Sequence, residues 1–141
     1  IEEFGERIAA RTHELASGGG GVREVLAAHL AGLMEFESFY SKLVAEAGLL
    51  PLVARNTLVS IQSAISFHLG QAAQRGMDAG TIRPMPQHLL FNTWLGLVNY
   101  YVVNADLFAP GGSALERCGA ALLDHYMSLI SVDRTEEGGR G

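Results

Sequence analysis

Five histidines, one cysteine and a run of glycines are the residues of this chain whose types invite chemistry. The histidines are His13, His29, His68, His88 and His125. They form no His-x-x-x-His pair, and no Glu-x-x-His motif of a di-iron bundle is present. No metal site is expected. Cys118 stands alone, which excludes an intramolecular disulfide and a Cys-rich zinc site. It falls on the apolar side of a helical pattern, where a thiol stays inert, because a reactive thiolate needs exposure and nearby positive charge. The run Gly18 to Gly21 lacks the Lys-Ser/Thr of a phosphate loop and follows no strand, so it reads as a link. No acid–base pair and no nucleophile with a base sits at helical spacing. We therefore expect no catalytic residue, no cofactor and no enzyme.

A better lead is the set of polar residues on otherwise apolar helical stretches. Asn56, Ser60 and Ser63 share one side of the stretch 51–77, with Phe67 one turn beyond. Asn92 and Asn99 lie two turns apart on the stretch 86–106. A buried amide must find hydrogen bonds. It finds them in a neighbouring helix, in water, in a dimer seam or in a ligand. The first and third readings need only packing. The last predicts a pocket between helices, apolar with few polar groups, as small-molecule sites are. Its candidate lining is Phe36, Tyr40, Asn56, Ser60, Ser63, Phe67, Asn92 and Trp94.

The elements that must position these residues all read as helices. Phe4, Ile8 and Leu15 mark a helix over 1–16. Val22, Val25, Leu26, His29, Leu30 and Leu33 form the stripe of a second. Ser38 is placed to cap a short third, carrying Tyr40, Leu43 and Val44 and stopped by Gly48. Pro51 opens a long fourth helix with two apolar faces: Leu58, Ile61, Ile65 and Leu69 on one, Leu52, Val59 and Phe67 on the other. A helix apolar on two sides is expected to be packed by neighbours on both. The fifth runs from Pro86 to Asp106. Ala109-Pro110-Gly111-Gly112 is a turn, and Ser113-Ala114-Leu115-Glu116 has the form of a capping box opening the last helix. No strand pattern and no repeat stands out. The expectation is an all-α domain, a five- to six-helix bundle over 22–131, with residues 132–141 as a charged, Gly-rich disordered tail.

Bulk composition narrows the classes further. A chain of 141 residues with 48% hydrophobic and 18% charged residues is not a disordered one. That apolar content points to surface buried against a partner. The net charge of −5, with Lys42 the one lysine, leaves no basic patch for phosphates. The stretch 88–107 is long enough to cross a membrane but holds Asn92, Asn99, Asn104 and Asp106, so no membrane partner is expected. No signal peptide is recognised, and a cytoplasmic location follows as an expectation.

Ala79-Gly80-Thr81-Ile82-Arg83-Pro84 joins the two longest apolar stretches. Gly80 suits a left-handed C-cap, and Pro84 and Pro86 suit the first turn of a new helix. This order, a long helix, then Gly-x-Ile-Arg-Pro, then an apolar helix, resembles the ligand-binding and dimerisation half of TetR-family transcriptional regulators over residues 22–131. The resemblance implies a homodimer in which the last two long helices form a four-helix interface. The residues assigned to that seam are Asn99, Val103, Leu115, Cys118, Leu122, Tyr126 and Leu129. It also implies a small hydrophobic effector whose binding alters the hold of an N-terminal helix-turn-helix on operator DNA. That module is not in this sequence, which opens on Ile1. Residues 1–16 would be the connecting helix. A decoy, Ala31-Gly32-Leu33 followed by Phe39-Tyr40-Ser41-Lys42-Leu43, looks like the end of such a module. Its spacing is about three residues short, and Met34, Glu35 and Phe36 stand where small polar residues belong. The alternatives are a helical dimerisation module without ligand, and a haem-type helical sensor, for which no Phe and His pattern fixes both haem faces.

Overall fold

Leu58, Ile61, Ile65, Leu69 and Ala72 recur every three or four residues and are all buried, which makes the long helix carrying them the axis of the fold. The computed structural model describes residues 20–133 together with Glu6 and Ala10. The remainder of the helix expected at 1–16, and the tail from 134 on, lie outside the described residues. The described helices are α1 (Val22–Glu35), α2 (Glu37–Ala45), α3 (Leu52–Asp78), α4 (Gln87–Val103), α5 (Ala105–Phe108) and α6 (Ala114–Ile130), with a 3₁₀ turn at Ala47–Leu49. The chain is all-α, and among the described residues there is no strand, only one isolated bridge between Ile82 and Ser131.

Packing pairs follow from the widths of the apolar faces. α1 packs on both α3 and α6, and α4 packs on α2, α3 and α6. The wide apolar arc of α6 is therefore shared between α1 and α4 within one protomer. Leu115, Leu122 and Tyr126 are buried there. The second apolar face of α3 behaves differently. Leu52, Val59 and Phe67 stay exposed, so the expectation of neighbours on both sides of α3 fails over this face among the described residues.

The corner between α3 and α4 is stiff for reasons that can be named. Gly80 has φ +78°, a left-handed value that L side chains rarely adopt. The Gly76 carbonyl accepts from Thr81 N at 2.8 Å and Ile82 N at 3.1 Å, closing the end of α3. Ile82 is buried directly against Gly76, where a Cβ would collide with its side chain. Arg83 N then donates to Ile130 O at 2.8 Å, and Val132 N to Thr81 O at 3.0 Å. These bonds tie the corner to the end of α6 and give Val132, expected in the tail, a fixed partner. The corner is longer than expected: Pro86 is the N-cap of α4, and Pro84 lies before the helix rather than in its first turn.

Two further boundaries depart from the sequence reading. α2 begins at Glu37 with Phe36 at the cap position, so Ser38 lies inside the helix. α4 ends at Val103, because Asn104 turns back and bonds the Tyr100 carbonyl through both its backbone N, at 3.1 Å, and Nδ2, at 2.9 Å. The span that looked long enough for a bilayer is thus broken. No helix among the described residues is long and apolar enough to cross a membrane.

Ser113 caps α6 as its sequence predicts, accepting from Glu116 N at 3.0 Å. The larger part of the cap comes from a distant residue. The Glu37 carboxylate accepts from Ser113 Oγ at 2.7 Å, Ala114 N at 2.9 Å and Leu115 N at 3.1 Å. A carboxylate at a helix N-terminus satisfies orphan amides and faces the positive end of the dipole. Glu37→Ala should lower stability by about 1–3 kcal/mol, the cost of partly buried donors left unpaired. Urea denaturation measures it; a midpoint unchanged from wild type would show that the α2–α6 tie contributes nothing.

Candidate functional site

Between α3 and α4 runs an open groove of about 970 Å³. Its apolar floor comes from Val59, Phe67 and Gly70 on α3 and Phe91 on α4. Its polar rim is Ser63, Ser66, Asn92, His88 and glutamines. All four glutamines of the chain, Gln62, Gln71, Gln74 and Gln87, line this one groove. Among the described residues no Asp, Glu, Lys or Arg does. The helices explain why. α3 carries none of those four residue types from Asn56 to Gln74, and α4 carries none at all. α1, α2 and α6 each carry several.

Both ends of the groove are fixed by hydrogen bonds. At one end Gln62 bonds the hydroxyl of Tyr40, which donates to Asn99 Oδ1 at 2.6 Å. This joins α2, α3 and α4 at one point. Burial, partly opposed by the bonds to Asn99 and Gln62, pushes the Tyr40 phenol up to about 12. At the other end Gln87 Nε2 donates to Gln74 Oε1 at 3.1 Å, and Gln74 Nε2 donates to Asp78 Oδ1 at 2.9 Å. Gly70 makes room for this crossing, since a Cβ there would sit 2.6 Å from Gln87 Oε1.

The structure thus brings together three of the eight expected pocket residues: Ser63, Phe67 and Asn92. Asn56 and Ser60 are exposed outside the groove. Phe36 is half-buried against the core, and Tyr40 is buried as the anchor of Gln62. Sequence reasoning missed the glutamines. The available signal was their confinement to two adjacent helices that lack charge.

Trp94 is fully buried and belongs to the core. Its Nε1 donates to His29 Nδ1 on α1 at 3.0 Å, which puts the imidazole proton on Nε2. Its ring lies tilted at 5.2 Å from Tyr126 on α6, and the Tyr126 hydroxyl donates to the Leu90 carbonyl. Burial also raises the Tyr126 phenol.

Of the residues assigned to the dimer seam, Leu115, Leu122 and Tyr126 are buried within the protomer. Asn99 is turned to Tyr40, and Cys118 is half-buried. Val103 and Leu129 are exposed. They have company. Leu89, Thr93, Gly96, Tyr100 and Val103 follow four-three-four-three spacing along the exposed side of α4, and Leu107 on α5 continues the row. Leu89 is 52% exposed, Tyr100 57% and Leu107 72%, values that mark an uncovered apolar face on a helix without charge.

No family model, curated protein or solved structure matches this chain. Among the described residues no three of His, Cys, Asp and Glu gather as metal ligands would.

Burial lowers the His29 pKa to about 4, against an ordinary value of 6.5. The unfolded chain therefore binds the proton first as pH falls. Stability contributed by neutral His29 is complete above 6.5 and is lost progressively down to about 4. Between pH 7 and pH 5 this loss should reach about 2 kcal/mol. Urea unfolding at the two pH values measures it. His29→Gln keeps an acceptor for Trp94 but cannot titrate, and should lose that part of the slope; an identical slope in the variant would assign the effect elsewhere.

Proposed function

We propose that this chain is the effector-sensing and dimerisation domain of a TetR-like transcriptional regulator. It is read as a binding module rather than an enzyme, acting in the cytoplasm. The observation that carries the proposal is the exposed, charge-free apolar row on α4. Depletion of charge with apolar and aromatic side chains is the composition of an interface core. A second copy placing the same row against this one buries it by two-fold symmetry. The seam is then built on Leu89, Gly96, Tyr100 and Val103 of α4, with Leu129 of α6 at its side. The buried Leu122 and Tyr126 support it from beneath.

Sensing rests on the groove. α4 borders the groove with Asn92 and carries the dimer row with Leu89 and Thr93. A small apolar effector in the groove thus bears on the helix that sets how two copies meet. The coupling that such an arrangement needs is modest, about 1–3 kcal/mol. The output is the spacing of helix-turn-helix modules on operator DNA, supplied from outside this sequence. The Gly80-Thr81-Ile82-Arg83-Pro84 corner and the helix order on either side of it support this assignment.

Sedimentation velocity tests the dimer. The wild-type chain should sediment as a dimer at high micromolar concentration. The double variant Leu89→Glu, Tyr100→Glu should be a monomer with unchanged helical circular dichroism, since both side chains are more than half exposed. A wild-type monomer under those conditions would remove the main support of the proposal.

A further inference from the structure

Among the described residues no Asp, Glu, Lys or Arg lines the groove, and this says which chemical class fits it. We propose that the α3–α4 groove takes an uncharged, elongated small molecule with an apolar body and a group that both donates and accepts hydrogen bonds, of which a primary carboxamide is the simplest. The inference rests on the effector reading above and goes beyond it by naming the ligand class.

Three observations lead there. First, the glutamines are not spread over the surface but gathered in one place, all four on the groove. A glutamine amide offers two donors and an acceptor, so a ring of amides matches a ligand with both kinds of group. Second, the two arginines nearest the groove along α3 are engaged away from it, and Asp78 is taken up by Gln74 at the groove's end. Arg55 donates to Gly48 O at 2.9 Å, Arg75 donates to Gly20 O at 2.8 Å, and Asp78 accepts from Gln74. A carboxylate entering the groove would lose hydration and meet no counter-charge, and an ammonium would find only Asp78, at one end and already accepting from Gln74, which is unfavourable. Third, three of the four amides are tied in place: Gln62 is bonded to Tyr40 at one end, and Gln87 donates to Gln74 at the other. From Gln62 to Gln74 is about 18 Å along the helix. Between the two ends lies the apolar floor of Val59, Phe67 and Phe91. The length and the order polar–apolar–polar select an extended molecule.

The test uses three probes of one chain length: octanamide, octanoate and octylammonium. Measurements are made at pH 8, where octanoate and octylammonium are both ionised. The glutamine side-chain amides of the ¹⁵N-labelled protein serve as reporters, because every one of them lines the groove. Octanamide should move these signals saturably, with each ion binding at least ten-fold more weakly. Ser63→Lys places a cation on an exposed position of the rim and should reverse the order, octanoate then binding at least ten-fold more tightly than octanamide. An ion that binds the wild-type groove as well as octanamide does overturns the ligand class and leaves the sensing function standing. Failure of all three probes to move any of the four amides overturns both. If those amides instead shift on dilution as dimers separate, the groove belongs to a second copy.

Discussion

One indole holds the bundle together. Trp94 is fully buried on α4, hydrogen-bonded to His29 of α1 and stacked at an angle on Tyr126 of α6. Tyr126 closes the circuit by bonding the Leu90 carbonyl, one turn before Trp94. A buried Trp N–H needs an acceptor, and a buried His needs to stay neutral. Each answers the other's need, and three helices are fixed in register as a result. The cost is specific. His29 cannot take up a proton without placing an unsolvated charge in the core and losing its role as acceptor from Trp94. The core is therefore sensitive to acid at one position, while the carboxylate of Glu37 secures the N-terminus of α6 by another route.

With α4 held on its inner side by Trp94 and against α2 by Asn99, two strips of its surface stay open. One side faces the groove; the other is the uncovered row from Leu89 to Val103. Neither carries charge. A solvent-facing helix surface ordinarily carries charged residues at high density, because they solubilise at little cost. They are absent from α4 and from the stretch of α3 between Asn56 and Gln74. The glutamines and serines of α3 supply polarity without charge. Leu89, Tyr100 and Val103 supply area for burial.

The fold class was legible because long, strongly periodic helices announce themselves. The stripe Leu58, Ile61, Ile65, Leu69 of α3 and the cap at Ser113 are local signals, and both are where the sequence puts them. Gly80 was legible for the same reason: a glycine ending a periodic run points to a left-handed cap. The site was legible only in part. Amphipathicity tells which residues avoid water, not which neighbour covers them. The apolar arc of α6 looked like surplus for a second copy, but α1 takes part of it. Trp94 and Tyr40 looked like pocket aromatics, but each has a long-range hydrogen-bond partner, 65 and 59 residues away, that no local pattern reveals. Glu37 is the same case: its value lies in capping a helix that begins 77 residues later.

On the proposed reading, the position of Trp94 also constrains how α4 responds to a ligand. A helix pinned near its middle does not translate easily, because sliding would break the bond to His29 and unpack Tyr126 together. Asn92 in the groove and Leu89, Thr93 and Gly96 on the exposed row all lie within one and a half turns of Trp94. The distal half of α4 has its own anchor on α2, since Tyr40 bonds Asn99 and Ser41 Oγ bonds the Val102 carbonyl, so the helix is held at two points and its exposed row is presented as a fixed face.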